Sequence, residues 1–364
     1  MAFCLAQRKF SEFSNTIDDV AIARRIPCMG AFELTFRCNQ ACRHCYCNLG
    51  PNDRHKADEL TTAEVKRVLD EISDAGCLWL LFTGGEVLLR EDFADIYLHA
   101  LRRGMIVEVF TNGTLIDDRM AGLFAEFSPI GIDISIYGAT AAVHDNITRS
   151  SGSFEKTMTG IEALRRHKVR FSLKTIIMTL NRADLGNMKA LAASLGVKFH
   201  FDSIISPRTD GGMLPARYRL SADEMVQLEL DEDYESCKRA FDGYWNKKPT
   251  GAFTCGAGVF AFNISPYGVL SPCNMFRSFQ YPLREAPFGG LWKRMVAERD
   301  EKQGGFFPEE CRSCSMFLLC SNCPAWEELE TGSWQKKVEY TCEYAKCFER
   351  EFFKKKEMIS AIKE

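Results

Sequence analysis

The sequence predicts an α/β chain: a partial (β/α)6, TIM-like barrel over residues 31–205, followed by a small cysteine-rich domain over residues 251–347. Three observations lead there. Strand and helix patterns alternate six times between residues 31 and 204, and such alternation implies a parallel sheet. Several of those strands are apolar on one face and polar on the other, whereas a parallel sheet covered by helices on both faces reads as continuous apolar runs. Sixteen cysteines are placed unevenly: three at Cys38, Cys42 and Cys45, none between Cys77 and Cys237, and eight from Cys255 to Cys347.

Taken in order, residues 1–30 form an N-terminal extension, and its start, Met1 to Phe10, has no apolar core long enough for a secretory signal. The strands are expected at Ala31–Phe36, Leu78–Thr83, Ile106–Thr111, Ile132–Tyr137, Arg170–Ile177 and Val197–Ile204. In the first, Phe32, Leu34 and Phe36 alternate with Glu33, Thr35 and Arg37; in the fourth, Ile132, Ile134 and Ile136 alternate with Asp133, Ser135 and Tyr137. In the sixth, Val197, Phe199 and Phe201 alternate with Lys198, His200 and Asp202. A curved sheet whose outer face meets helices and whose inner face surrounds a polar ligand fits this pattern, whereas a closed barrel fills its interior with packed side chains. The first helix is marked by a Thr61/Glu64 capping box, an apolar face of Val65, Val68, Leu69 and Ile72, and Gly76 at its close. Residues 206–250 read as a Pro/Gly-bearing linker or active-site loop and then a helix from about Ser221 to Trp245. The charged tail, residues 348–364, reads as a solvated helix.

A net charge of −3 suggests neither nucleic acid nor an anionic membrane as a partner. No run of about 18 apolar residues is present, so no membrane span is expected and the protein is placed in the cytoplasm. Reducing cytosol disfavours disulfides, which leaves metal binding as the use for so many cysteines.

The segment Arg37-Cys-Asn-Gln-Ala-Cys-Arg-His-Cys-Tyr46 has the spacing C-x3-C-x2-C at the end of the first strand. Three thiolates fit three corners of a 4Fe–4S cube and leave the fourth iron open. A closed structural zinc site is the alternative, with Cys47 or His44 as fourth ligand. The triplet resembles the motif of the radical S-adenosylmethionine (SAM) superfamily, with His44 in its aromatic place. The resemblance implies that SAM chelates the open iron and that one electron cleaves it to a 5′-deoxyadenosyl radical, which abstracts a hydrogen from the substrate. It further implies contacts to SAM from Gly84, Gly85 and Glu86 (Val87 replaces the common following proline), from Thr111 and Asn112, and from Ser135 and Arg149 as a carboxylate-binding pair.

Cys255, Gly268, Cys273, then Cys311-x2-Cys314-x5-Cys320-x2-Cys323, and finally Cys342 and Cys347 resemble the SPASM extension of the same superfamily, with x2 where its template has x3. That resemblance implies two auxiliary 4Fe–4S clusters, one on Cys255, Cys273 and Cys323 and one on Cys311, Cys314, Cys320 and Cys342. Cys347 or Cys237 would supply the missing ligand of the first, or its site stays open. Zinc ribbons are the alternative for this domain.

SPASM-bearing enzymes mostly modify ribosomally made peptides, which implies a precursor peptide as substrate and a thioether, a carbon–carbon crosslink or a backbone excision as product. Residues 210–221 resemble the region before SPASM in crosslinking maturases. The short N-terminal extension leaves no room for a leader-gripping domain, so a separate leader-recognition protein is expected, with flavodoxin or ferredoxin as electron donor. A dehydrogenase of the sulfatase-activating type is a second reading. It is disfavoured because Pro272-Cys273-Asn274 has asparagine where that group has a proton-accepting Asp. A non-enzymatic metal-stapled scaffold is a third. The general base stays open among Asp133, His200, Asp202 and Asp210.

Overall fold

The computed structural model describes residues 19–47, 49–245, 255–302, 305–317, 319–320 and 323–363. Most of the expected N-terminal extension and the junction at 246–254 therefore lie outside the described residues. The first six strands are β1 (Met29–Thr35), β2 (Trp79–Gly84), β3 (Ile106–Thr111), β4 (Gly131–Ser135), β5 (Ser172–Ile176) and β6 (Lys198–Asp202). The intervening helices are α1 (Thr62–Asp74), α2 (Phe93–Arg102), α3 (Asp118–Glu126), α4 (Ala141–Thr148), α5 (Ser153–Arg166) and α6 (Leu185–Leu195). The six strands pair in parallel and in chain order, as the alternating pattern requires. Thr61 and Glu64 form the reciprocal capping box, and Val65, Val68, Leu69 and Ile72 are the buried face of α1.

Leu34, Phe82, Val109, Ile134 and Leu173 point outward from the sheet and are buried under the helices. The alternate residues Glu108, Phe110, Asp133, Ser135, Ser172 and Lys174 face the interior, where two cavities open. The polar inner face predicted from sequence is therefore present. Three members of the predicted set serve elsewhere. Thr35 is buried and donates to Glu59. Arg37 is buried against Glu59, and Glu33 is buried between Tyr46 and Asn263.

The sheet does not stop at β1. Beyond α7 (Ala222–Trp245), strand β7 (Ala261–Ile264) pairs in parallel with β1, and β8 (Val269–Ser271) and β9 (Tyr281–Pro282) continue antiparallel. The order is β6-β5-β4-β3-β2-β1-β7-β8-β9, so the start of the cysteine-rich segment hydrogen-bonds into the barrel sheet. Gly268 makes that hairpin possible. Its φ is +75°, and a Cβ there would stand 2.8 Å from the Leu60 side chain.

The remaining helices are α8 (Phe288–Lys302), α9 (Glu309–Arg312), α10 (Pro324–Thr331) and α11 (Glu339–Lys363). The tail corrects the expectation of a solvated helix. Helix α11 starts at Glu339, and its Ala345, Phe348 and Phe352 are buried with Val226 and Leu230 of α7. Apolar residues at helical spacing inside a charged sequence form that seam. Ser221 and Glu224 cap α7 as a second capping box. Among the described residues no helix is long and apolar enough to cross a membrane.

His144 of α4 is fully buried, and its Nδ1 accepts a hydrogen bond from the Tyr137 N–H at 3.2 Å, so the ring is neutral in the fold. Burial lowers its pKa to about 4 from an ordinary 6.5. A lowered histidine pKa stabilises the fold in full above about pH 6.5, and that contribution is lost as pH falls toward 4. Thermal melts of the wild type and His144→Gln should therefore diverge between pH 7 and pH 4.5, the wild type losing more stability, by up to about 1.4 kcal/mol per pH unit.

Candidate functional site

The upper cavity, about 260 Å³, lies at the carboxyl ends of the strands. Cys38, Cys42 and Cys45 line it from the loop after β1, and Gly84 and Gly85 line it from the end of β2. Thr111 at the end of β3, Asn112 just after it and Ser135 of β4 complete the predicted set that it gathers. This is the end of a parallel sheet at which ligands bind.

The two glycines act by having no side chain. A Cβ on Gly84 would lie 2.3 Å from the Thr35 carbonyl oxygen, and one on Gly85 would lie 2.3 Å from that of Arg37. Gly84 also has φ +126°. The N–H groups of Gly85 and Glu86 donate to those same two carbonyls at 2.7 and 2.9 Å. The β2 turn is thereby locked against the start of the cysteine loop.

Glu86, expected with the two glycines to contact SAM, is turned away from the cavity. Its side chain is fully buried, lies outside the cavity lining, and accepts hydrogen bonds from Thr111 Oγ1, the Asn112 N–H and the Leu88 N–H at 2.8, 2.7 and 3.1 Å. It ties the β2 turn to the β3 turn. Burial raises its pKa, against the pull of the three donors. Asn112, held in this way, extends its Nδ2 toward Cys38 Sγ at 3.7 Å and donates to Asn39 at 2.8 Å.

A buried ionic network holds the other side of the loop. The Arg37 guanidinium pairs with both oxygens of Glu59 at 3.0 and 3.1 Å, Thr35 Oγ1 donates to the same carboxylate, and Arg90 stands 3.9 Å away. Arg90 also donates to the Leu34 and Leu60 carbonyls and pairs with Asp92. The far end of the loop is pinned to α4, where Ala41 and Arg43 N–H groups donate to the Thr148 and Ile147 carbonyls.

Burial pushes the Cys38 thiol up to about 12, with Glu86 and Cys45 adding to the rise. Cys42 is raised well above the ordinary thiol value by burial and by its two partner cysteines. Such thiols ionise when a cationic centre binds among them. Gln40 Nε2 and His44 Nδ1 are buried at the cavity with no hydrogen-bond partner among the described residues. Three soft donors on one loop, with a glycine turn beside them, fit a 4Fe–4S cluster with one iron left open.

Other predicted residues lie apart. Arg149 is exposed at the left-handed cap of α4, φ +53°, outside the cavity lining. Asp133, His200 and Asp202 line the lower cavity, and Asp210 is exposed, so none of the four candidate bases lines the upper one. His44 and Tyr137, which the sequence pattern put at the motif and on the polar face, also line it, whereas sequence reasoning missed Gln40, Tyr46, Phe110 and Lys174. The alternation of Ser172, Lys174 and Ile176 with Leu173 and Thr175 in β5 was the available signal for Lys174.

In the C-terminal part, the Cys273 thiol is pushed up to about 12 by burial and then by Cys323 and Cys255. Cys323 is raised to about 11 by burial, with Cys255 adding to it. Cys311 is raised to about 11 by burial, with Cys342 and Cys314 among its charged neighbours. Cys320 and Cys347 belong to the small core between α7 and α11, where Cys237 packs beside them. Cys347 accepts a hydrogen bond from Arg350 there.

Two outcomes follow. Glu59→Gln leaves buried guanidinium charge unpaired and should cost about 3–5 kcal/mol in denaturant unfolding. Gly85→Ala forces backbone apart, and should lower the unfolding free energy by about 1–3 kcal/mol and weaken SAM binding in equilibrium dialysis.

Residues 32–192 match the Radical SAM superfamily. The chain is 27% identical over 338 residues to the AdoMet-dependent heme synthase of Methanosarcina barkeri, covering 86% of this chain and 96% of that protein. It is 26% identical over 308 residues to the PqqA peptide cyclase of Granulibacter bethesdensis, covering 79% and 80%. Among solved structures, Streptococcus suis SuiB bound to S-adenosylmethionine superposes with a TM-score of 0.68 at 13% identity, over 94% of this chain and 83% of that one, which establishes a shared fold. The thiol triplet and the Gly84–Gly85 turn both lie inside the stretch that matches the Radical SAM superfamily, a family defined by SAM and a 4Fe–4S cluster.

Proposed function

We propose that this chain is a radical SAM enzyme that modifies a ribosomally made precursor peptide, by a thioether or carbon–carbon crosslink or by backbone excision. The observation that carries the radical chemistry is the convergence of Cys38, Cys42 and Cys45 with Gly84 and Gly85 on one cavity. The peptide substrate is supported by the likeness to a peptide cyclase over 79% of the chain. Asn274 beside Cys273, unable to take a proton, weighs against the sulfatase-type dehydrogenase.

Cys38, Cys42 and Cys45 would hold the cluster that, reduced and with SAM bound, supplies a 5′-deoxyadenosyl radical for hydrogen abstraction. Gly84 and Gly85 give SAM a bare backbone edge, and Thr111, Asn112 and Ser135 offer polar groups along the same wall. Glu86 positions that wall from behind. Arg149 joins as a SAM contact only if its exposed side chain swings inward.

Cys255, Cys273 and Cys323 would hold one auxiliary 4Fe–4S cluster and Cys311, Cys314, Cys320 and Cys342 a second. The electrostatic coupling of Cys255 with Cys273 and Cys323, and of Cys311 with Cys314 and Cys342, supports that division. The division into a barrel domain and a SPASM domain, a separate leader-recognition protein and a flavodoxin or ferredoxin donor belong to the same reading.

A second reading has a specific observation behind it. The likeness to a heme synthase runs over 338 residues and 96% of that protein, longer than the likeness to the peptide cyclase. A tetrapyrrole substrate is therefore the rival to a peptide.

The test is the triple variant Cys38→Ala, Cys42→Ala, Cys45→Ala after anaerobic reconstitution. Deoxyadenosine formation with dithionite should vanish while about eight irons per chain remain, two clusters of four. Retained SAM cleavage would remove the triplet from the chemistry. Substrate-dependent deoxyadenosine with an iron porphyrin in place of a peptide would decide for the second reading.

A further inference from the structure

Lys174 is a cation of the barrel interior that the proposed chemistry does not use. It sits on the inner face of β5, directly across from Ser135 of β4 in the sheet register. It lines both the upper cavity, with the three thiols, and the lower cavity of about 960 Å³ that opens toward the amino ends of the strands. Its Nζ lies 3.8 Å from the centroid of the Phe110 ring, a position that holds an ammonium group electrostatically without consuming its N–H donors. Among the described residues Nζ has no hydrogen bond and no carboxylate within 4.0 Å. Glu108 attracts it but does not reach it, and Asp133 is engaged by the Ser172 hydroxyl.

A half-buried ammonium group with three free donors, facing a cavity and flanked by a serine hydroxyl, is built to receive an anion. Arg149, expected from sequence to partner Ser135, lies outside that cavity, so Lys174 is the cation beside Ser135 within it. We infer that Lys174 is the anchor for an alkyl carboxylate of the substrate, held at the junction of the two cavities. This rests on the radical SAM reading and adds the substrate's chemical class to it. Both substrate readings can supply the group: an acidic side chain of a peptide, or a propionate of a tetrapyrrole.

The test uses the reconstituted full-length protein saturated with SAM. Two acid/neutral pairs serve as probes: a glutamate-containing octapeptide with its glutamine twin, and an iron porphyrin bearing propionates with its methyl ester. In the wild type one acid should bind about tenfold more tightly than its neutral twin, as expected for one charge-assisted contact. Lys174→Met should erase that preference, and Lys174→Arg should keep most of it. Which pair shows the preference identifies the source of the carboxylate. Neutral twins that bind as well as the acids, a preference that survives Lys174→Met, or no binding of any probe to the wild type would each overturn the assignment. So would a tenfold loss of SAM affinity in Lys174→Met that disappears with decarboxylated SAM, because the amine would then serve the cofactor. Deoxyadenosine release from the same wild-type sample keeps failure of the radical reading distinguishable, since the binding preference does not require turnover.

Discussion

The site depends on two strand ends approaching more closely than any side chain permits. Thr35 and Arg37 present their carbonyls to the turn at Gly84 and Gly85, where a Cβ would sit 2.3 Å from oxygen. Two backbone hydrogen bonds close that contact. The loop carrying Cys38, Cys42 and Cys45 departs from this point and is held again at α4 through the Ala41 and Arg43 N–H groups.

Two buried carboxylates then carry the constraint outward. Glu86 joins the β2 turn to the β3 turn and brings Asn112 toward Cys38. Glu59 joins the end of β1 to Arg37 and Arg90 beneath the loop. A buried charge is costly without partners, and both carboxylates are supplied with donors on more than one element. Such groups hold a geometry rather than add net stability, which suits a loop that must present thiols to a metal cluster.

The cysteine-rich segment is attached by the same means as the barrel strands are attached to each other. Strand β7 extends the parallel ladder at β1, so its hairpin lies one strand from the loop of the thiol triplet. Glu33 of β1, buried under Tyr46 and Asn263, sits at that seam and couples the two parts through hydrogen bonds. A separate small domain on a flexible tether would offer no such coupling.

Much was determined by sequence alone. Periodicity placed the six strands within two residues of their observed ends, because strand and helix periods are local properties of the chain. The thiol spacing and the glycine pair named the heart of the site, because both act through a few neighbouring residues. Tertiary structure decided the rest. Glu86 is a brace behind the wall, Arg149 stands outside it, and Lys174 stands inside, because the facing of a side chain depends on which strand lies beside it. Helix α11, charged on the page, is a packed helix because α7 offers an apolar face that no local pattern in the tail could reveal. The addition of β7 to β1 joins residues more than 200 positions apart, a pairing fixed by the edge left free at β1 rather than by either segment's own composition.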